Sequence, residues 1–197
     1  MIQKWFFRYK FTDKDLILLL PMTEFLFKDK NLSVNKWPVI RIKGSDYIGP
    51  KDNLTDLTFD QFMDADQLLM NYAKDKDIHK LYRIVAILYP KKGTIYNSEK
   101  LDDSIFHTVD INQVHAIVMF FSSVKNYWAT IFIHLFTTGE GQSFENQWAQ
   151  PLRQLAGDVL KMKQFAQLTA IEVLWDMNEK IKDAKEAERL LKQKQNG

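Results

Sequence analysis

The sequence predicts a mainly α protein, a helical bundle with a small N-terminal α+β element, and three observations support this fold class. From residue 54 onward, apolar side chains recur at the three-and-four spacing of amphipathic helices. Within residues 1–50, two short stretches instead alternate apolar and polar residues, which is the period of a strand. The last residues are highly charged yet keep helical character. The 197-residue chain is long enough for one domain with a substantial core.

Composition narrows the classes of protein that the chain can represent. Hydrophobic residues are 46%, charged residues 26% and the net charge is +2, which indicates a folded globular chain without the charge excess of a nucleic-acid or membrane-surface protein. Cysteine is absent, which removes disulfides, thiolate nucleophiles and cysteine metal sites. Residues 116–136 are long enough to cross a membrane, but Lys125 and Asn126 near their centre favour a buried helix. We therefore expect no membrane partner, and the N-terminus does not read as a signal peptide.

Residues 1–50 are predicted to form the small α+β element. In WFFRYKF, residues 5–11, and in PVIRIKG, residues 38–44, apolar and basic side chains alternate, which predicts two strands. A short helix is expected between them, and Pro21 should break or kink it. A Gly-Pro turn at 49–50 ends the element.

Residues 51–136 are predicted to form the helical body. Apolar spacing places one helix at 58–74 and a second at 78–89, and the short polar link between them predicts an antiparallel helical hairpin. A loop with one helical turn near Ser98 should follow. The third helix is expected over 110–136, and its middle is apolar on all sides, as in a central helix.

Residues 143–197 are predicted to form long C-terminal helices that end in a charged tail. After the linker TTGEGQ, the apolar spacing continues from Leu152 to Ile181, which predicts one sustained helix. The tail keeps a weak heptad that Glu188 interrupts at an expected apolar position. The tail is either a solvated helix end or a coil that binds a partner, and the pattern leaves both open. We expect the three parts of the chain to form one domain.

The stretch LTFDQFMDAD at 57–66 is predicted to start the first long helix. Thr58 as N-cap places Gln61 at the third helical position, which is the spacing of a capping box. Leu57 before the cap and Phe62 at the fourth helical position have the spacing of a hydrophobic staple. These roles explain the stretch as a helix start, without an acid cluster that performs chemistry.

The aspartates of this stretch differ in their expected surroundings. Asp60 falls in the first turn, where the helix dipole favours a carboxylate, and Asp64 lies further along the same polar side. Asp66 falls on the apolar stripe, so we expect a buried ion pair with a neighbouring helix, with Arg83 as the candidate cation. The stretch lacks the central glycine of a calcium loop, so no metal site is predicted.

No residue set identifies a catalytic, cofactor or metal site. The histidines lack the i, i+4 spacing of a helical zinc site, and they are His79, His107, His115 and His134. We expect His115 and His134 to be core or interface histidines of the third helix. The chain also has no nucleophile elbow, phosphate loop or dinucleotide fingerprint. We therefore expect a non-enzymatic protein with no cofactor and no small-molecule substrate. A hydrolase built from dispersed carboxylates is kept as an alternative.

A nucleic-acid-binding helical module is the other alternative. Lys80 and Arg83 share the polar face of the second helix, and Lys91 and Lys92 follow that helix directly. Together with the helical hairpin, these cations would suit a variant of the helix-turn-helix. Nearby carboxylates dilute the positive charge, which favours an ordinary solvated face.

The order of motifs suggests a class of protein. IRIKGSDYIGPKDNLTDLTFDQFMDAD is followed by LYRIVAILYP, by an apolar helix with VMFFSSV, and by W-x-x-P-L-x-x-LA at 148–156. Over roughly residues 40–190 this order resembles small virion morphogenesis proteins of tailed bacteriophages, in particular those of Bacteroidetes hosts. The resemblance implies a tail-assembly chaperone or a neck or tail subunit. Its partners would be other phage structural proteins or a second copy, in the host cytoplasm during assembly or in the virion. It brings no catalytic residues.

Overall fold

The computed structural model describes residues 33–136 and 148–195, and from Ser33 onward they belong to one compact unit. The two strands are β1 (Val39–Ile42) and β2 (Ser45–Ile48). The helices are α1 (Phe59–Asp75), α2 (His79–Leu88), α3 (Ile111–Ile131), α4 (Ile133–Phe136), α5 (Ala149–Ala156), α6 (Val159–Gln167) and α7 (Ala170–Gln195). Short 3-10 turns lie at Asp52–Leu54, Ser98–Lys100 and Ser104–Thr108. The predicted fold class, mainly α with a small β-containing element near the N-terminus, is confirmed.

Some predictions fall on residues outside the described ranges. These are the strand at 5–11, the helix that Pro21 should break, and the linker at 137–142. Within the described ranges, no helix has the length and apolarity that crossing a membrane requires.

The predicted strand at 38–44 is present as β1 and pairs antiparallel with β2. Ile40 and Ile42 are buried on one face, as the alternation predicted. The two strands are joined by a tight turn in which Lys43 and Gly44 both have positive φ, 48° and 78°, as a type I′ turn requires. Strand β2 was not predicted, because its residues lack a clear alternation of apolar and polar side chains.

Helices α1 and α2 form the predicted antiparallel hairpin. The capping box at the start of α1 is present, with the Thr58 hydroxyl accepting from the Gln61 backbone N–H. Gln61 has a second role, because its side-chain Nε2 donates to the carbonyl oxygen of Ile87 at 2.7 Å. The start of α1 is thereby bonded to the last turn of α2, where carbonyl groups lack helical partners. Leu57 and Phe62 are both buried in the core, as a staple needs.

Helix α3 contributes seven buried residues to the core, but it ends earlier than the sequence predicted. Asp110 caps it by accepting from the Asn112 backbone N–H at 2.8 Å. The helix stops at Phe132, a buried residue outside helical geometry with φ −91° and ψ 55°. The chain resumes as the short helix α4. The Phe132 ring is buried at this break. Apolar spacing alone does not reveal that the helix ends here.

The prediction of one sustained helix from Leu152 to Ile181 is wrong, because the chain breaks twice there. Gly157 has φ 76° and ends α5, and the Asp158 side chain then caps α6 by accepting from the Lys161 N–H at 2.8 Å. At the second break, the Phe59 N–H donates to the Leu168 carbonyl at 2.9 Å, so backbone pairing with the start of α1 replaces helical bonding.

Aromatic rings fill the centre of the core. Phe62 of α1 lies at its middle, with ring centroids 5.3 Å from Trp148, 5.7 Å from Trp128 and 6.0 Å from Phe121. These rings come from α1, α3 and the residue that precedes α5. Contacts at this separation stabilise aromatic clusters beyond area burial alone, so they fix the C-terminal helices against the hairpin.

Candidate functional site

A polar cluster centred on Asp66 lies inside the core. The Asp66 side chain is 0% exposed and forms an ion pair with Lys125 of α3 through Oδ1. Its other oxygen, Oδ2, accepts from the Trp148 indole N–H at 2.8 Å. The cation that meets Asp66 is therefore Lys125, and Arg83 is exposed on α2 instead. Since the carboxylate is fully buried and engaged, the cluster holds helices together and does not offer a substrate site.

A second acidic group lies on α1, around Asp60 and Asp64. The Tyr96 hydroxyl donates to Asp64 Oδ2 at 2.5 Å. Burial, followed by the nearby Asp64 charge, raises the pKa of Asp60. Burial and then the bond to Asp64 raise the pKa of Tyr96. The sequence placed Asp60 in a favourable helix dipole, but it did not detect this partial burial next to a second carboxylate.

The basic residues proposed for nucleic acid divide into two groups. Lys80 forms an ion pair with Asp75, and Arg83 lies exposed on the same helix, α2. Lys91 and Lys92 lie instead beside β2. The Lys92 backbone N–H donates to the Asp46 carbonyl at 2.9 Å, and Lys91 forms an isolated antiparallel β-bridge with Tyr47. The Asp75 carboxylate offsets the charge of Lys80, so α2 presents less free positive charge than the sequence alone suggests.

A shallow cleft of about 320 Å³ lies between β1 and the start of α3. Its lining residues are Ile40, Arg41, Ile42, Lys43, Thr108, Val109, Asp110 and Gln113. The Arg41 guanidinium is engaged by Asp46 at 2.8 Å, which raises the pKa of Arg41 and lowers that of Asp46. Asp110 caps α3. The polar groups of this cleft thus already have structural roles.

The fold brings together two histidines that are far apart in the sequence. The ring centroids of His79, at the start of α2, and His107, in the 3-10 turn Ser104–Thr108, lie 5.2 Å apart. His115 is half-buried in α3, and His134 is half-buried in α4. Among the described residues, no group of three or more His, Cys, Asp or Glu side chains is placed to hold a metal ion. No local sequence signal could have paired His79 with His107.

Trp175 of α7 presents an exposed apolar side chain near the end of α3. This side chain is called the Trp175 surface below. Trp175 is 57% exposed and packs one edge against the buried Phe132 ring, at a centroid distance of 6.2 Å. Trp175 falls within the apolar spacing from Leu152 to Ile181 that predicted one sustained helix, but its side chain is exposed while that of its neighbour Leu174 is buried.

The end of α7 continues beyond this surface as a charged helix. Every described side chain from Lys182 to Gln193 is exposed. Ion pairs along the helix join Glu179 to Lys182, Glu186 to Arg189 and Glu188 to Lys192. Leu190 and Leu191 are exposed among these charges. The tail is therefore helical and solvated, with two leucines available for a contact.

Comparison with known proteins leaves the function to be argued from this molecule, because no family model, no curated protein and no solved structure matches the chain. Among the features above, the Trp175 surface differs in kind from the polar clusters. Asp66 is paired with Lys125, and Asp64 accepts from Tyr96, whereas Trp175 presents more than half of its area to solvent.

Proposed function

We propose that the protein is non-enzymatic and works through protein–protein contacts, as an assembly or structural protein. The observation that carries this proposal is the exposure of Trp175, 57% of whose surface is open to solvent. Tryptophan is enriched among the residues that dominate binding energy at interfaces.

The charged end of α7 is a second observation that supports the same proposal. Its ion pairs place Glu before Lys or Arg, the orientation that best stabilises a helix in water. A helix that holds its shape without packing loses little conformational freedom when a partner binds Leu190 and Leu191. The tail thus suits a preformed binding helix, although its interrupted heptad does not specify a long coiled coil.

We further propose that the assembly is a tailed-bacteriophage particle, in its tail or neck region. This part rests on the order of sequence motifs over residues 40–190, quoted above. It places the protein in the host cytoplasm during assembly, or in the virion, with other phage structural proteins or a second copy as partners. A tail-assembly chaperone and a permanent neck or tail subunit are both compatible with a surface made for contacts.

A matched pair of variants tests the role of the Trp175 surface. Trp175→Ser removes the exposed indole, and Ile95→Ser removes a still more accessible apolar side chain, 83% exposed against 57%, from the loop after α2. Ile95→Ser should unfold at the wild-type urea midpoint. Trp175→Ser should lower that midpoint only slightly, because it loses one ring contact with Phe132. In quantitative pull-downs from infected or expressing cells, Trp175→Ser should lose the partners that wild type and Ile95→Ser retain.

Two results would contradict the proposal. A wild-type protein that remains a solitary monomer and recovers no partner has no contact for the surface to make. Equal partner recovery by Trp175→Ser and wild type would show that the indole takes no part in binding.

A further inference from the structure

His79 and His107 have the separation expected of two imidazoles that share a metal ion. Their ring centroids lie 5.2 Å apart, with the ring planes tilted by 52°. Two imidazoles bound to one tetrahedral ion, with each nitrogen about 2.0–2.1 Å from the metal, place their ring centres about 5 Å apart. Both side chains are exposed, so each ring can turn a nitrogen toward a shared ion without rearranging the core.

The backbones that carry the two rings are held firmly in place. His107 lies between the buried residues Phe106 and Val109, which anchor its 3-10 turn to the core. His79 begins α2, and its N–H donates to Asp77 Oδ1 at 3.0 Å. Tyr82, one turn along α2, packs against the His107 ring at a centroid distance of 4.9 Å. A pair positioned in this way loses little freedom when it binds a ligand.

We propose that His79 and His107 form a surface site for a divalent transition-metal ion of the zinc class. Imidazole nitrogen suits Zn²⁺, Ni²⁺ and Cu²⁺, whereas Mg²⁺ and Ca²⁺ prefer oxygen ligands. The described residues supply no third His, Cys, Asp or Glu side chain placed for the ion, so water completes its coordination. Binding should be one ion per chain and should link the start of α2 to the 3-10 turn. This site is independent of the Trp175 surface.

Zinc titration of the full chain, prepared without a polyhistidine tag, tests the proposal. Two-dimensional NMR of the imidazole groups follows all four histidines in one sample, so His115 and His134 serve as internal controls. The resonances of His79 and His107 should change together at the first equivalent of Zn²⁺. Those of His115 and His134 should stay unchanged at that point, and Mg²⁺ should move none of them.

Calorimetry on variants gives the second measurement. His79→Ala and His107→Ala should each weaken zinc binding by about a hundredfold, because one remaining histidine lacks the gain in affinity that a second histidine held nearby supplies. His134→Ala, which removes a half-buried histidine elsewhere, should bind zinc as wild type does. If either alanine variant disturbs folding, His79→Gln or His107→Gln replaces it. Unchanged affinity in the folded variants, or equal responses from all four histidines, would overturn the proposal.

Discussion

Asp66 is a buried carboxylate that links α1 to Lys125 of α3 and to Trp148. A carboxylate with 0% exposure is costly unless it is paired and hydrogen-bonded, and Lys125 and Trp148 supply those partners. The sequence marked Asp66 as unusual because it falls on an apolar stripe. It could not name the partners, because Lys125 and Trp148 meet Asp66 only in the folded molecule.

Replacement of Lys125 should reveal how much free energy the buried Asp66 charge costs when it is unpaired. Lys125→Met leaves Asp66 buried without its counter-ion and should lower the free energy of unfolding by about 3–5 kcal/mol in urea. Arg189→Ala breaks the exposed pair with Glu186 and should cost less than about 1 kcal/mol. Adding Asp66→Asn to Lys125→Met should recover part of the loss. Equal losses in Lys125→Met and Arg189→Ala would contradict a buried pair.

The raised pKa of Asp60 predicts an effect of pH on stability. Because burial raises the pKa of Asp60 above its ordinary 3.8, its contribution to stability is fully present below that pH and is lost as pH rises through the folded-state pKa. Asp60→Asn should therefore be more stable than wild type at pH 7, and the gain should vanish below pH 3.8. Urea unfolding at both pH values measures it.

Asp102 offers a control of opposite sign for that experiment. The bonds from Ser104 lower the pKa of Asp102, so its contribution is present above the ordinary pKa of 3.8 and is lost as pH falls. Asp102→Asn should accordingly be less stable than wild type at pH 7. If the free energy of unfolding of both variants changed in the same direction at pH 7, the loss of a carboxylate would explain the change, and the surroundings of each carboxylate would not.

At the scale of elements, local signals located the starts of helices better than their ends. The Thr58 cap, the Asp110 cap and the alternation around Ile40 and Ile42 act within a few residues, so they can be read along the chain. The break at Leu168 depends on backbone bonds to the start of α1, which is distant in sequence. Apolar spacing continues through such a break and therefore predicted one helix where the structure has several.

The hairpin of α1 and α2 gives a test at this scale. Glutamate normally serves as well as glutamine in a capping box. Here, however, the Gln61 amide donates to the Ile87 carbonyl, and a carboxylate would face that oxygen without a proton to donate. Gln61→Glu should therefore lower the free energy of unfolding by about 1–3 kcal/mol at neutral pH, the penalty of a buried unsatisfied group. A stability equal to wild type in urea denaturation would refute the dual role of Gln61.

At the scale of the whole molecule, the described tryptophans differ in burial. Trp128 and Trp148 lie in the core around Phe62, whereas Trp175 is left exposed. The sequence predicted the fold class, but it did not identify Trp175 as exposed. The Trp175–Phe132 contact and the His79–His107 pair each join residues from separate elements, so only the tertiary structure brings them together.

Mass spectrometry of purified phage particles and of size-fractionated lysate from infected cells tests the proposed function most directly. The protein should appear either in particles, in a fixed ratio to the tail or neck proteins, or in lysate fractions together with those proteins. The first result identifies a structural subunit, and the second identifies an assembly chaperone. A protein that is absent from particles and elutes from the lysate as a free monomer, apart from every virion protein, would contradict the account.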